Sequence, residues 1–133
     1  LSYHVSGTYS KEANLSVSVG STTYPDITDC KVSMKRSSDD TVEVTLKGLS
    51  NLNKSETGKG MNLGDFTVTD VKVTSADNST FKIEGSISAT DTNNTKITGT
   101  ISGTVTNSEA NITFTFKPGA MPIDITAQFK GKK

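Results

Sequence analysis

The chain has 133 residues, with 14 basic and 14 acidic side chains, a formal net charge of zero and only 32% of its residues in the apolar set. A chain of this size is expected to form one domain (1–133) around one modest core, and a neutral balance without a basic stripe excludes the counterion-displacing surface of a nucleic-acid binder. A single cysteine, Cys30, excludes an internal disulfide framework, and no apolar run reaches the roughly 18 residues of a membrane-spanning helix.

Along the chain, apolar residues recur at every second position in short runs, and Gly, Asn, Asp and Ser clusters separate the runs. Tyr3, Val5, Gly7 and Tyr9 share the first inward face. A polar turn at Lys11-Glu12 is expected next, followed by Leu15, Val17 and Val19. Cys30, Val32 and Met34 alternate, which predicts that Cys30 sits on a strand as a buried small hydrophobe. Ser37-Ser38-Asp39-Asp40 reads as a four-residue hairpin connection to Val42, Val44 and Leu46.

Residues 48–64 lack alternation and carry Asn51, Asn53, Gly58, Gly60 and Asn62, so they read as a flap or flexible excursion. Phe66 and Val68 restart the pattern, and Val71 and Val73 continue it one residue out of phase. One extra residue restores an inward face, so a β-bulge is predicted near Thr69-Asp70. After a turn at Asp77-Asn78-Ser79, Phe81, Ile83, Gly85, Ile87 and Ala89 alternate with polar residues. A polar loop spans 90–95; then Ile97, Gly99, Ile101, Gly103 and Val105 alternate. Ile112, Phe114 and Phe116 form another strand, Pro118-Gly119 turns the chain, and Ile123, Ile125, Ala127 and Phe129 form the last.

This gives about nine strand-like segments with no helical period, the signature of an all-β antiparallel meander closed as a barrel or sandwich. The 17 Ser and 21 Thr suit the solvent face of such a sheet. Inward glycines at 7, 85, 99 and 103 read either as tight corners of the sheet or as lumen volume left open.

Three stretches carry a family resemblance. They are Gly7-Thr8-Tyr9 with Leu15-Ser16-Val17-Ser18-Val19; Thr41 to Leu49 with Leu63-Gly64-Asp65-Phe66-Thr67-Val68; and Ile112 to Phe116 followed by Lys117-Pro118-Gly119-Ala120-Met121-Pro122 and Ile123 to Gly131. Together they resemble the calycin-like β-barrel domain family, found largely in exported lipoproteins of gut Bacteroidetes. The resemblance spans nearly the whole chain and rests on structural punctuation rather than chemistry. It implies a small antiparallel barrel of about eight to nine strands, lipocalin-like in shape, with no established enzymatic role and no carried-over site residues. It also implies an extracytoplasmic protein, in the periplasm or at the cell surface, processed or lipid-anchored. The chain opens on Leu1-Ser2-Tyr3 inside a patterned segment, as if an export signal had been removed, and Cys30 lies too far in to be a lipid-anchoring cysteine.

Little in the sequence looks like chemistry. His4 is the only histidine, and nothing near it nominates a catalytic partner. One His and one Cys make no zinc signal. Asp39-Asp40 reads as turn chemistry, and Asp26 and Asp29 have no EF-hand spacing. Gly58-Lys59-Gly60 lacks the remainder of a phosphate loop, and with Trp absent there is no broad sugar platform. Asn14, Asn53, Asn78, Asn93 and Asn111 open Asn-X-Ser/Thr sequons, as a composition rich in these residues produces. No enzyme activity, cofactor or metal is expected.

Two readings stand. In one, the barrel lumen holds a small apolar or amphipathic ligand, lined by Met34, Leu46, Phe66, Phe81, Ile101 and Phe114, with 48–64 as a lid. In the other, the barrel is a monomeric structural or interaction domain of a surface lipoprotein, with a filled core and no ligand. Membrane association in either case comes only through an anchor outside this chain.

Overall fold

The computed structural model describes residues 5–20, 22–24, 26–48, 64–77, 79–91, 94–106, 108–118 and 124–133. Among them ten strands form one antiparallel sheet: β1 (Gly7–Tyr9), β2 (Lys11–Val19), β3 (Thr22–Thr23), β4 (Lys31–Arg36), β5 (Thr41–Lys47), β6 (Phe66–Ser75), β7 (Phe81–Thr90), β8 (Lys96–Val105), β9 (Glu109–Pro118) and β10 (Ile125–Lys132). Their spatial order is β1-β4-β5-β6-β7-β8-β9-β10-β2-β3. From β4 to β10 each strand pairs with the next in sequence, as short polar turns dictate. The first strand breaks the order. Its β1 half lies on β4 and its β2 half lies on β10, so a single run of chain joins the two ends of the sheet into a nearly closed barrel.

Alternation translates into burial strand by strand. β5 buries Val42, Val44 and Leu46 and turns Thr41, Glu43, Thr45 and Lys47 outward. β8 buries Ile97, Ile101 and Val105 between exposed Lys96, Thr98, Thr100, Ser102 and Thr104. The inward sets merge into one apolar cluster running through the barrel. At about 25 cal/mol per Å² of buried apolar surface, each fully buried Leu, Ile or Phe in it contributes roughly 1.5–3 kcal/mol before entropy is subtracted.

Two bulges bend the wall. On β5 and β6, Val42 pairs with Val71 and Val44 with Val68, so β6 carries one residue more than β5 across this interval. The surplus falls at Thr69-Asp70, both exposed, and Asp70 takes φ +57°. The phase slip in the sequence therefore marks a real bulge. On β10 and β2, Lys130 pairs with Asn14 and Lys132 with Lys11, so β2 carries the extra residue, beside Glu12 at φ +52°. The expected turn at Lys11-Glu12 is thus no turn. Both residues lie within β2, and a bulge breaks the alternation that made them look like a loop.

Two further expectations are corrected. Gly7 does not share the inward face with Val5 and Tyr9; it is exposed and takes φ +137° while paired with Met34 of β4. Cys30 is buried as expected but precedes β4 rather than lying on it, and its thiol donates to the Ile27 carbonyl at 3.4 Å. The turns behave as their chemistry requires. The β4–β5 connection is 37–40, and the Asp77 carboxylate accepts the Ser79 and Thr80 N–H groups, each at 2.8 Å.

Candidate functional site

Two regions qualify: the barrel interior, and the mouth that gathers the Thr28–Cys30 segment, the end of β5, the start of β6 and the 91–95 turn.

The six residues expected to line a lumen are all buried. Met34, Leu46, Phe66, Phe81, Ile101 and Phe114 belong to the single apolar cluster. They do not all converge. Phe66 meets Phe114 edge-on, with ring centroids 5.9 Å apart and planes at 88°, and packs on Phe116 at 5.3 Å. Leu46 pairs with Phe66 across β5 and β6, and Ile101 with Phe114 across β8 and β9. Phe81 sits at the other end of the barrel, opposite Ser75 and Val105. Phe116, Phe129, Leu15 and Tyr9 are as fully buried as any of the six. Tyr9 is held by its hydroxyl, which donates to the Val5 carbonyl at 2.7 Å, and burial raises its phenol well above the ordinary value.

The glycines of β8 are explained by close approach. A Cβ on Gly99 would stand 2.0 Å from the Thr115 carbonyl oxygen, and one on Gly103 would stand 2.3 Å from the Asn111 carbonyl oxygen. Both lie against the backbone of β9, so they permit its close approach. At Gly85 the nearest atom, the Val71 Cα, is 3.4 Å away, an ordinary contact.

At the mouth, Asp91 is the buried charged residue among the described residues, 4% exposed. Its carboxylate accepts the Thr95 N–H at 2.9 Å and the Gly64 N–H at 3.1 Å, so it ties the end of β7 to the approach to β6. Nothing in the sequence separates Asp91 from the other acids of a polar loop; only tertiary pairing does so. Two clefts of about 430 Å³ each open here and share Lys47 and Asp65. One reaches Cys30 and Asp29, the other Phe66 and Ala89. Burial, with the Asp29 charge adding to it, pushes the Cys30 thiol up to about 11, so it is protonated and unreactive near neutrality.

The acidic residues weighed in the sequence are dispersed. Asp26 accepts from the Asn14 amide at 3.2 Å, and Asp39 pairs with Arg36 in the hairpin turn. Among the described residues no group of three or more His, Cys, Asp or Glu side chains could hold a metal ion. His4, Ile123 and most of the 48–64 loop, 49–63, lie outside the described residues.

A nearly closed meander barrel, joined end to end by its first run of chain, agrees with the comparison to known families. The model of the calycin-like β-barrel domain matches residues 5–132. The chain belongs to that family. None of the curated proteins matches this calycin-like chain. Among solved structures, it is similar to a crystal structure of "a putative outer membrane protein" from Bacteroides fragilis, with 88% identity and a TM-score of 0.94 over 99% of the chain. The calycin-like domain spans about half of that protein, covering 52% of its length.

Proposed function

We propose that this chain is a filled-core barrel module of an exported protein, acting as a structural or interaction domain rather than as a small-molecule carrier. The observation that carries this reading is the Phe66–Phe114–Phe116 aromatic cluster packed across the interior. These rings take up interior space that a lumenal ligand would otherwise use, and the close approach of β9 accounts for Gly99 and Gly103 of β8. The description of the similar Bacteroides fragilis protein as an outer membrane protein supports an extracytoplasmic setting. The twofold greater length of that protein supports a module that works beside a further region.

The competing reading, a small apolar or amphipathic ligand in the lumen, draws on one feature: Phe66 borders a cleft of about 430 Å³ at the mouth. Native mass spectrometry of freshly purified protein, together with melting curves over a panel of fatty acids and bile salts, separates the two. The expected result is the mass of the polypeptide alone and unchanged melting. A copurified small molecule, or a rise in melting temperature with one lipid class, overturns the proposal, because a ligand of the native state raises stability by mass action.

A further inference from the structure

The wall of the barrel is not hydrogen-bonded uniformly. β7 and β8 pair along their full length, Phe81–Thr90 against Lys96–Val105, and β8 and β9 do nearly the same. β6 and β7 are equally long, yet their ladder covers only Lys72–Ser75 against Phe81–Glu84. Beyond it, Phe66–Val71 is laddered to β5 alone and Gly85–Thr90 to β8 alone among the described residues.

The ladder stops where the Thr69-Asp70 bulge begins. The bulge adds a residue on β6 and turns Asp70 to φ +57°, which reverses the direction in which successive N–H and C=O groups point. Past that point β6 keeps step with β5 and loses step with β7. Two clefts mark the line between them. One, of about 480 Å³, lies by Asp70, Lys72, Glu84 and Gly85; the other, of about 430 Å³, lies by Thr67, Ala89 and Thr90. At the mouth the line is crossed again, by the Gly64 N–H reaching the Asp91 carboxylate. A seam six residues long therefore lies between a four-pair ladder at one end and the charge-assisted Gly64–Asp91 hydrogen bond at the other.

We infer that the barrel opens along the β6–β7 seam and that Asp91 is the clasp that holds it shut. Separating β5–β6 from β7–β8 here breaks the Gly64–Asp91 bond and a four-pair ladder, whereas parting β7–β8, β8–β9 or β9–β10 breaks eight or more register positions. What opens is a pair of strand edges in the side of the barrel rather than its mouth. The clasp sets how often the seam and its short ladder open.

Amide hydrogen exchange on the whole chain, read residue by residue by NMR, tests this. The amides of Gly64 and of the Lys72–Ser75 and Phe81–Glu84 ladder that face the seam are expected to exchange at least tenfold faster than those of the β8–β9 ladder, by a route insensitive to low denaturant, as local opening requires. Asp91→Ala is expected to speed the seam amides a further tenfold and leave β8–β9 unchanged, with Asp91→Asn intermediate because it keeps an acceptor. Seam amides as slow as those of β8–β9 in the unaltered protein overturn the inference. So does an Asp91→Asn variant that accelerates every ladder equally, which is general destabilisation. The unaltered protein decides the matter even where Asp91→Ala does not fold.

Discussion

Gly99 of β8 lies opposite Phe116 of β9 at a distance that excludes even a methyl group: a Cβ at Gly99 would come within 2.6 Å of the Phe116 Cα. The obstacle is backbone, so it cannot swing aside as the tip of a side chain can. Gly99→Ala is expected to cost about 3 kcal/mol by overpacking, and Gly103→Ala a similar amount. Gly85→Ala meets nothing closer than 3.4 Å and is expected to cost less than about 1 kcal/mol. Urea denaturation of the three variants checks the ranking, and equal costs would contradict it.

Phe66 is 3% exposed and touches two other rings. Phe66→Ala removes the transfer energy and leaves a cavity, with an expected loss of about 3–5 kcal/mol. Phe66→Leu keeps most of the volume and is expected to lose less than about 1.5 kcal/mol. A loss under 1 kcal/mol for the alanine variant, in the same denaturation assay, would mean that the ring is not tightly packed.

The Cys30 thiol gives a pH signature at the alkaline end. Its folded value, about 11, is above its ordinary value of 9.0, so the folded state holds the proton more tightly than the unfolded chain. The associated stability is fully present below pH 9 and is lost as pH rises from 9 towards 11. Melting temperature should fall over that window in the unaltered protein and fall less in Cys30→Ala. A disulfide reagent at pH 8 should label native protein at least tenfold more slowly than protein in urea, since the thiolate is the nucleophile.

Asp77 works in the opposite direction. Backbone N–H bonds from Ser79 and Thr80 hold its carboxyl below the usual carboxylate value of 3.8. The stability it contributes is present above the unfolded value and is lost as pH falls through the lowered folded one. Asp77→Asn should remove that part of the acid dependence. Melting curves between pH 6 and pH 2 check this, and parallel profiles for the two proteins would refute it.

The strands, the 37–40 hairpin and the Thr69-Asp70 bulge were legible because each is local: a period of two, a polar cluster, a one-residue phase slip. The Lys11-Glu12 bulge was misread for a local reason as well. It falls where two polar residues precede Ala13, so no apolar residue reports the phase. Periodicity alone places Gly7 inward, and it carries no information about the positive φ taken there. Burial of the six expected lining residues was readable. The aromatic partners of Phe66 were not, because Phe114 and Phe116 reach it across the barrel and not along a strand. Asp91 is invisible in the sequence for a related reason: its partner Gly64 lies 27 residues away and comes near only when β6 and β7 stand side by side.

The first strand's double pairing has a kinetic consequence. From β4 to β10 every pairing joins neighbours in sequence, and apart from the 48–65 connection between β5 and β6 these hairpins zip without long loops to close. The β2–β10 pair is different, because Leu15 meets Phe129 only when opposite ends of the chain come together. That encounter carries the largest loop-closure entropy in the molecule and cannot gain until the intervening strands have brought the ends near. Ring closure is therefore expected to be the late, rate-limiting event. A substitution in the Leu15–Phe129 pair should mainly accelerate unfolding, whereas one in the β7–β8 hairpin should slow folding.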